Sequence, residues 1–265
     1  MSIVQPLRNM TMPNVQILMY HRVGHFPGRV QRHGAAYCHL PRFKAQMRMF
    51  KWLGYNVISL DEAVAGLQGL GPLPSKPMVL TFDDAYVDFL ENAVPVLLEH
   101  GYPATVYAVS SLLGRTSQWD AGVGPEPAPL MTAAQLREVK DLGFTVGSHS
   151  KSHLRLTEHP ANIVQAELTD SKYELENILG VSVQHFCYPY GNHNLQTLYA
   201  SALAGYTSAT TCHRAAATSA DDILCLPRKA VARGDSLLGV WWKLSFKNHA
   251  RTTSIRRPHL EELSS

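Results

Sequence analysis

The sequence has no long apolar run and no excess of charge of one sign. No stretch approaches the roughly 20 consecutive apolar residues that a transmembrane helix needs, and the formal net charge of +3 does not favour a nucleic-acid-binding protein. Residues 1–24 lack the continuous apolar segment and small-residue cleavage site of a secretory signal. We therefore expect a cytoplasmic protein that has no transmembrane segment and does not bind nucleic acid.

Cysteine is scarce and scattered, and internal repeats and low-complexity blocks are absent. The four cysteines form no close pair of the kind found in zinc ribbons or redox motifs. A chain of 265 residues can bury a full core without disulfides, so we expect free thiols. Histidine, in contrast, occurs thirteen times, and this excess favours a metal site because neutral imidazole is a frequent metal ligand.

Short apolar runs alternate with helix-like segments along most of the chain. This is the pattern of βα units around a largely parallel sheet, and about six or seven such units predict an α/β barrel with a single domain. We assign residues 15–250 to the barrel, residues 1–14 to an N-terminal extension and residues 251–265 to a basic C-terminal tail. The tail is either solvated or contacts anionic lipid or a phosphate-bearing substrate. The predicted strands cover residues 15–20, 56–59, 78–82, 104–109, 144–147 and 185–188, with short ones near 206 and 229.

Two adjacent carboxylates, Asp83 and Asp84, follow the predicted strand at 78–82. Like charges this close oppose each other's ionisation, and a bound cation relieves the repulsion. Because successive side chains of a strand point to opposite sides, one carboxylate can bind a metal while the other holds a water molecule. A turn or a helix cap would use the same two residues, so both interpretations stay open for this motif alone.

His149 and His153 follow the predicted strand at 144–147. A spacing of four places both imidazoles on one side of a helical turn, where they can share a metal ion. With Asp84 as a third ligand, the set leaves an open position for water, as catalytic zinc sites require. Two surface histidines are the alternative.

The predicted strand at 185–188 runs into a turn, Tyr188-Pro189-Tyr190-Gly191. Proline and glycine fix the backbone there. A turn N–H could face a developing oxyanion, and the aromatic rings would form a wall for a sugar or an acyl methyl group. A buried strand that ends in a turn is the alternative.

Three tryptophans outside these motifs are candidates for packing or for substrate contact. Trp119 lies in a segment rich in glycine and proline, where it either stacks on a sugar or packs the loop. Trp241 and Trp242 are expected to pack a helix against the barrel.

The three motifs, taken in order, resemble those of the polysaccharide deacetylases, carbohydrate esterase family 4 or the NodB-like domain. The matching pieces are TFDD at 81–84, HSKSH at 149–153 and YPYG at 188–191, and shorter matches extend the resemblance over roughly residues 15–232. The resemblance implies a distorted (β/α)7-type barrel that holds one Zn²⁺. Affinity order alone does not select zinc, so Co²⁺, Ni²⁺ and Fe²⁺ are alternatives.

The resemblance also implies a role for each motif residue. Asp84, His149 and His153 would be the metal ligands, and Asp83 would be the general base that activates water on the metal. The backbone N–H of Tyr190 would polarise the amide carbonyl oxygen together with the metal. The side chains expected to contact the saccharide are Tyr188, Pro189, Trp119 and His193.

Two positions near the base depart from the family's pattern. Ala85 replaces the glycine of the usual FDDG, which costs little unless the backbone there needs a positive φ. Cys187 stands where the family's RxPY motif has arginine, so the cation that pairs with the base is missing. Arg228, within Leu226-Pro227-Arg228, is the candidate replacement.

A third departure concerns the proton that the amine leaving group needs. Many members of the family supply a general-acid histidine from an LxH motif, and here Arg228 occupies that position. His21 and His193 are candidates for the acid, and Asp83 could instead serve as both base and acid.

The expected function is hydrolysis of an N-acyl group, in the first place N-acetyl, from an amino sugar in a glycan or a glycan precursor. In a cytoplasmic protein the substrate would be a lipid-linked or nucleotide-linked saccharide. The alternatives are a deformylase or non-sugar amide or imide hydrolase on the same site, and a catalytically inactive carbohydrate-binding relative. The sequence predicts no oligomeric state.

Overall fold

Strands and helices alternate through the part of the chain that the structure describes. The computed structural model describes residues 14–25, 37–117, 119, 127–250 and 255–257. The strands are β1 (Gln16–Tyr20), β2 (Arg22–Gly24), β3 (Tyr37–His39), β4 (Asn56–Val57), β5 (Pro77–Phe82), β6 (Thr105–Ala108), β7 (Thr145–Ser148), β8 (His185–Cys187), β9 (Ser208–Thr210) and β10 (Lys229–Ala230). The α-helices are α1 (Leu40–Trp52), α2 (Leu60–Leu67), α3 (Val94–His100), α4 (Ala133–Asp141), α5 (Ala161–Leu179), α6 (Leu195–Leu203) and α7 (Leu237–Phe246).

Seven parallel strands curl into one sheet in the order β10-β1-β5-β6-β7-β8-β9, and β4 pairs with the first residues of β5. At the far edge, Thr210 of β9 bridges to Leu226. Leu226 precedes β10, which pairs with β1, so the segment 226–230 links the two edges of the curled sheet. The predicted fold class, a distorted (β/α)7-type barrel with a single domain, is confirmed.

The alternation of side chains along the strands separates two layers of core. One layer packs between the sheet and the surrounding helices, and its strand residues include Leu18, Leu80, Val106 and Phe186. The other layer lies on the opposite, inner face of the curled sheet, and its strand residues include Ile17, Val79, Tyr107 and Cys187. The candidate site lies at the C-terminal end of this inner face, where Asp83 follows β5.

Two helix ends match signals in the sequence. Thr132 caps α4, and its side chain forms a reciprocal capping box with Gln135. Helix α5 ends at Gly180, whose φ of 68° is the left-handed conformation that glycine adopts without steric cost. Both boundaries are as the sequence predicts.

Two predictions about the periphery are wrong. The polar, histidine-rich composition of residues 24–39 predicts a loop, but this segment ends in a strand, because β3 pairs in parallel with β2; residues 26–36 lie outside the described residues. The second wrong prediction is that Trp241 and Trp242 pack α7 against the barrel. Both side chains are exposed, because α7 buries a different face against the barrel.

Most of the two predicted terminal segments, residues 1–13, 251–254 and 258–265, lies outside the described residues. In the described part of the tail, Arg257 donates two hydrogen bonds of 2.8 Å to the carboxylate of Asp222. This part of the tail is therefore bound to the barrel and not only solvated. In the described ranges, every helix is too short or too polar to cross a bilayer.

Candidate active site

Asp83 continues the inward-facing row of side chains on β5. Val79, Thr81 and Asp83 are two residues apart, so all three point to the same side of the sheet. The backbone N–H of Asp83 donates to the carbonyl of Tyr20 at 2.9 Å, which extends the pairing of β1 with β5 by one residue. The side chain is buried. The residue predicted as the base is thus a buried carboxylate at the C-terminal end of a central strand.

Arg228 is the partner of this carboxylate. Its Nη1 donates to Oδ1 of Asp83 at 2.6 Å and its Nη2 donates to Oδ2 at 2.7 Å, which makes a bidentate ion pair. The guanidinium also donates to the Thr81 hydroxyl at 2.9 Å and to the Thr211 carbonyl at 3.0 Å. The structure brings Arg228 to Asp83, as we expected from the sequence, and its part in catalysis stays a prediction.

Cys187 occupies the strand position at which the resemblance predicts arginine. Its Sγ accepts a hydrogen bond from Nη2 of Arg228 at 3.0 Å and lies 3.6 Å from Oδ2 of Asp83. Strand β8 therefore presents a thiol, while the segment before β10 supplies the guanidinium from another side of the barrel interior.

Arg228 decides the charge of Asp83. Burial alone would raise the pKa of this carboxyl, but the attraction and hydrogen bonds of the guanidinium outweigh burial and hold the pKa below its ordinary value. Asp83 is therefore ionised near neutral pH and able to accept a proton.

Asp84, His149 and His153 converge on one point beside this pair. Oδ1 of Asp84 lies 3.3 Å from Nε2 of His149 and 3.4 Å from Nε2 of His153, and all three side chains are buried. The same Oδ1 and the Nδ1 of His153 have no hydrogen-bond partner among the described residues. A buried carboxylate oxygen without a donor is costly, and a cation between the three ligand atoms removes that cost.

The donor set fits a divalent cation. One carboxylate oxygen and two imidazole nitrogens lie within 4.8 Å of one another, a combination found in catalytic zinc sites. Nδ1 of His149 lies 2.7 Å from the carbonyl oxygen of Cys187, so Nδ1 carries a proton and Nε2 is the nitrogen that faces Asp84. Burial lowers the pKa of His149, but Cys187 and Asp84 outweigh burial and hold the pKa above its ordinary value, so a cation bound here would take the place of the proton on Nε2. Burial lowers the pKa of His153, which favours the neutral form that binds metals.

A second group of ligand atoms, from Asp83, His149 and Cys187, also lies within 4.8 Å. In this group the carboxylate is already neutralised by Arg228. The group with Asp84 is therefore the stronger candidate, because its carboxylate faces only imidazoles.

The loops that carry the ligands use left-handed backbone, which is rare for residues other than glycine. The φ angles are 75° at Asp84, 64° at Ser150 and 62° at His153. The prediction that residues 149–153 form a helical turn is therefore wrong. The hydroxyl of Ser150 accepts the backbone N–H of His153 at 3.0 Å, and this closes a tight loop in which the two ligand rings lie 4.9 Å apart.

Glu167 of α5 holds this loop in place, and sequence reasoning missed it. Its Oε2 accepts the backbone N–H groups of Lys151 at 3.1 Å and Ser152 at 2.9 Å, and its Oε1 accepts the Ser152 hydroxyl. The available signal was its position beside Val164 and Leu168 on the buried stripe of α5, because a carboxylate on an apolar stripe needs donors from another element.

Aromatic rings border the ligand cluster. The ring of Trp119 stacks on His153 with 4.0 Å between centroids, and the ring of Tyr190 meets His153 edge to face at 4.6 Å. The guanidinium of Arg155 lies 4.0 Å from the centroid of Tyr190, a cation–π contact that sequence reasoning missed. Trp119 and Tyr190 therefore lie where the sequence predicts a substrate wall, and their contact with a saccharide stays a prediction.

The turn at 188–191 separates its two tyrosines. Tyr190 is exposed and has a φ of 60°. The ring of Tyr188 is fully buried, and its hydroxyl bonds to Ser201 and to the carbonyl of Leu224. This placement corrects the prediction that Tyr188 contacts the substrate, because its ring belongs to the core. Pro189 is also buried.

The two histidines predicted as candidates for the acid lie in different surroundings. Nε2 of His21 is 4.0 Å from Oδ2 of Asp83, and the side chain is partly exposed. His193 directs its Nδ1 to the carbonyl of Gly191 at 2.6 Å, and its ring lies 4.7 Å from that of His213. Burial lowers the pKa of His193. The structure therefore brings His21, and not His193, to the carboxylate.

Sequence comparison places this site in a known family. The profile described as Polysaccharide deacetylase matches residues 71–209, which is more than half of the 265 residues. The chain belongs to the polysaccharide deacetylase family. The matched region contains Asp83, Asp84, His149 and His153, whereas Arg228 lies beyond it.

Relatives of this chain are named as deacetylases. YxkH of Bacillus subtilis, named as a polysaccharide deacetylase, is 29% identical over 223 residues, which cover 83% of this chain and 72% of that protein. The poly-beta-1,6-N-acetyl-D-glucosamine N-deacetylase of Escherichia coli K12 is 25% identical over 230 residues, covering 74% of this chain. The matched part is only 34% of the Escherichia coli protein.

Solved structures share the fold of this chain. The Streptococcus pyogenes deacetylase PplD, in complex with acetate, has a TM-score of 0.75 at 24% identity and covers 89% of this chain and 100% of its own. IcaB from Ammonifex degensii has a TM-score of 0.74 at 22% identity and covers 88% of this chain and 98% of its own. At these identities the likeness concerns the fold.

Proposed function

We propose that this deacetylase hydrolyses the N-acetyl group of an amino sugar, with a divalent cation, in the first place Zn²⁺, held by Asp84, His149 and His153. The observation that carries the proposal is the orphaned Oδ1 of Asp84, which faces two imidazole nitrogens beside the ionised Asp83. Two relatives named as poly-beta-1,6-N-acetyl-D-glucosamine N-deacetylases support an N-acetylglucosamine substrate.

Asp83 is proposed to accept the proton of the attacking water. Its pairing with Arg228 keeps the carboxylate ionised and fixes the orientation of both oxygens. A divalent cation at the ligand cluster supplies Lewis-acid polarisation of the amide carbonyl and lowers the pKa of water. The bond from the water oxygen to the carbonyl carbon forms, the carbon–nitrogen bond breaks, and acetate and the free amine leave.

The developing negative charge needs a donor, and the leaving amine needs a proton. We assign the donor to the backbone N–H of Tyr190, whose ring already borders His153. We assign the proton to His21, because its Nε2 lies 4.0 Å from the oxygen of Asp83 and its side chain also reaches solvent. Direct transfer from Asp83 to the amine is the other route.

The remaining assignments from the sequence extend this proposal. Residues 15–250 are proposed as the catalytic barrel, and Trp119 as the side chain on which a sugar ring stacks. His193 is proposed as a more distant substrate contact beyond the turn. A lipid-linked or nucleotide-linked saccharide in the cytoplasm is the proposed natural substrate, and it follows from the sequence expectation of a cytoplasmic protein.

The test combines metal analysis with acetate release from an N-acetylglucosamine oligosaccharide. We expect the purified protein to contain about one divalent metal ion per chain, and acetate release to stop with chelator and return with Zn²⁺, Co²⁺, Ni²⁺ or Fe²⁺. His153→Ala is expected to lower the metal content together with the activity. Metal content unchanged by this substitution would refute the ligand set.

Three other results would each favour one of the alternative functions. Formate release from an N-formyl substrate without acetate release indicates a deformylase, and turnover only of a non-sugar amide or imide indicates that class of hydrolase. Saccharide binding without metal and without turnover indicates a binding protein.

A further inference from the structure

Helix α7 turns much of its apolar surface outward. Its ten residues include one charged side chain, Lys243, and only Val240 and Leu244 are buried. Leu238, Trp242 and Phe246 are 69%, 49% and 56% exposed. A surface helix of a globular protein normally presents polar residues to water. The exposed apolar side chains of α7 therefore form a surface suited to binding a partner molecule or a membrane.

The end of α1 extends this surface. Trp52, its last residue, is 83% exposed. Between the two helices lies a groove of about 460 Å³, lined by Met49, Trp52, Leu53, Leu237, Leu238 and Trp241. We call the exposed side chains of Trp52, Leu237, Leu238, Trp241, Trp242 and Phe246 the α1/α7 face. A continuous apolar surface of this kind marks a site of interaction with a protein or a membrane.

A stripe of basic residues runs along α1 beside this face. Lys44, Arg48 and Lys51 are exposed, and α1 contains no acidic residue. Positions 44, 48 and 52 recur every four residues, so Lys44, Arg48 and Trp52 share one side of the helix. Within the described part of the chain, none of the three cations forms an ion pair. Lys243 of α7 adds nothing to the stripe, because it pairs with Asp235 at 2.6 Å.

We propose that the α1/α7 face docks on an anionic lipid bilayer surface. Tryptophan favours the boundary between headgroups and acyl chains, because its ring is apolar and its N–H can reach water. Basic residues next to inserted apolar side chains bind anionic headgroups and add about 1 kcal/mol each near such a surface. Trp52 and Trp242 insert, and Lys44, Arg48 and Lys51 contact lipid phosphates.

The charges disfavour a second copy of the chain as the occupant. A twofold interface uses the same patch on both subunits. Two α1 stripes without acidic residues would then approach each other, and like charges repel. An anionic lipid surface would instead attract the basic stripe, because their charges are opposite. The proposal is independent of the catalytic function, because none of the residues of the α1/α7 face belongs to the candidate site.

Co-sedimentation of the full chain with lipid vesicles tests the proposal. We expect binding to vesicles of phosphatidylcholine and phosphatidylglycerol, weaker binding to pure phosphatidylcholine, and release by salt. Three of the four tryptophans belong to the face, so their fluorescence should shift to shorter wavelength on binding. Trp241→Ser with Trp242→Ser, and separately Lys44→Glu with Arg48→Glu, should each weaken binding by about tenfold or more.

The matched control replaces exposed apolar residues elsewhere. Leu70 and Leu203 are 78% and 80% exposed, so Leu70→Ser with Leu203→Ser removes comparable apolar surface and should leave binding unchanged. Equal thermal unfolding temperatures establish that all variants are folded. The proposal fails if the wild-type chain does not bind either vesicle, if the control variant loses binding equally, or if the tryptophan variant abolishes a concentration-dependent dimer instead of vesicle binding.

Discussion

The two halves of the candidate site are built by different means. Cys187 lies on β8, Asp83 directly follows β5 and Arg228 directly precedes β10. The polar groups of these three residues contact one another directly inside the barrel. Asp84 and His153 lie on left-handed loop backbone, and each keeps a buried polar atom without a hydrogen-bond partner among the described residues. The comparison teaches that the polar groups of the first half satisfy one another, whereas the second half leaves buried ligand atoms for which we propose a cation.

The largest expected effect separates the base from the ligands. Asp83→Asn should lower turnover by about 10²–10⁴-fold, because the amide cannot accept the proton of water. The metal content should stay the same, because Asp83 is paired with Arg228 and is not one of the three proposed ligands. Acetate release and metal analysis on the same sample measure both effects.

Asp88→Asn is the matched control for this substitution. Asp88 pairs with Arg22 at 2.7 Å in a second, partly buried aspartate–arginine contact away from the ligand cluster. This variant should keep its activity. Loss of metal from the Asp83→Asn variant would show instead that the two halves share a ligand.

The next largest effect concerns the ion pair in the first half of the site, between Asp83 and Arg228. Arg228→Met should destabilise the fold by about 3–5 kcal/mol, because it leaves the buried carboxylate of Asp83 without its counter-ion. Urea unfolding measures the change. Adding Cys187→Arg to this variant returns a guanidinium to the strand position used by the family, and we expect part of the stability and activity to recover.

An Arg228→Met variant with wild-type stability and wild-type turnover would contradict the pairing. Recovery by Cys187→Arg distinguishes loss of the counter-ion from a general packing defect, because a packing defect would not be repaired by a charge from another strand.

A smaller effect concerns the loop that carries the histidine ligands. Glu167→Gln should weaken metal affinity by about 10–100-fold, because Glu167 holds the backbone of Lys151 and Ser152 between the two ligands. Competition with a chromophoric chelator measures the affinity. Glu176→Gln, on the same helix and paired with Lys172, should leave it unchanged, and equal affinities for both variants would refute the anchoring role.

The smallest effect is expected at Ala85. Its φ of 55° is strained for a residue with a Cβ, but its methyl group is buried in the core. Glycine relieves the strain and loses the methyl contact, so Ala85→Gly should change the free energy of unfolding by less than about 1 kcal/mol. Ala63→Gly, in helix α2 and also buried, should cost more, and a smaller cost there would contradict the strain at Ala85.

Local rules predicted the barrel and the first half of the site well. Strand alternation from Val79 to Asp83 predicts on which side of the sheet the carboxylate lies. The resemblance to the family, whose motif has arginine where Cys187 stands, predicts Arg228 as the partner, and Nη1 of Arg228 lies 2.6 Å from Oδ1 of Asp83. The direction of Asp83 is predictable because a regular strand gives each side chain a defined direction.

Other features depend on tertiary contacts that the sequence does not encode locally. The left-handed φ of Ser150 and His153 replaces the expected helical turn, and the anchor Glu167 comes from a helix further along the chain. The burial of Tyr188 and the exposure of Trp242 reverse the expectation for both rings, because the apolar character of a residue does not decide which side of a turn or helix packs against the core.

The charge of Asp83 depends on Arg228, which belongs to the last part of the barrel to be synthesised. Asp83 and Arg228 are 145 residues apart in the chain, and Arg228 lies in the segment that links the two edges of the sheet. During synthesis the carboxylate is made long before its guanidinium, so it has no counter-ion until the final strand docks on β1. A chain cut short before residue 228 would therefore retain all three proposed metal ligands and still lack the charge that keeps its base ionised.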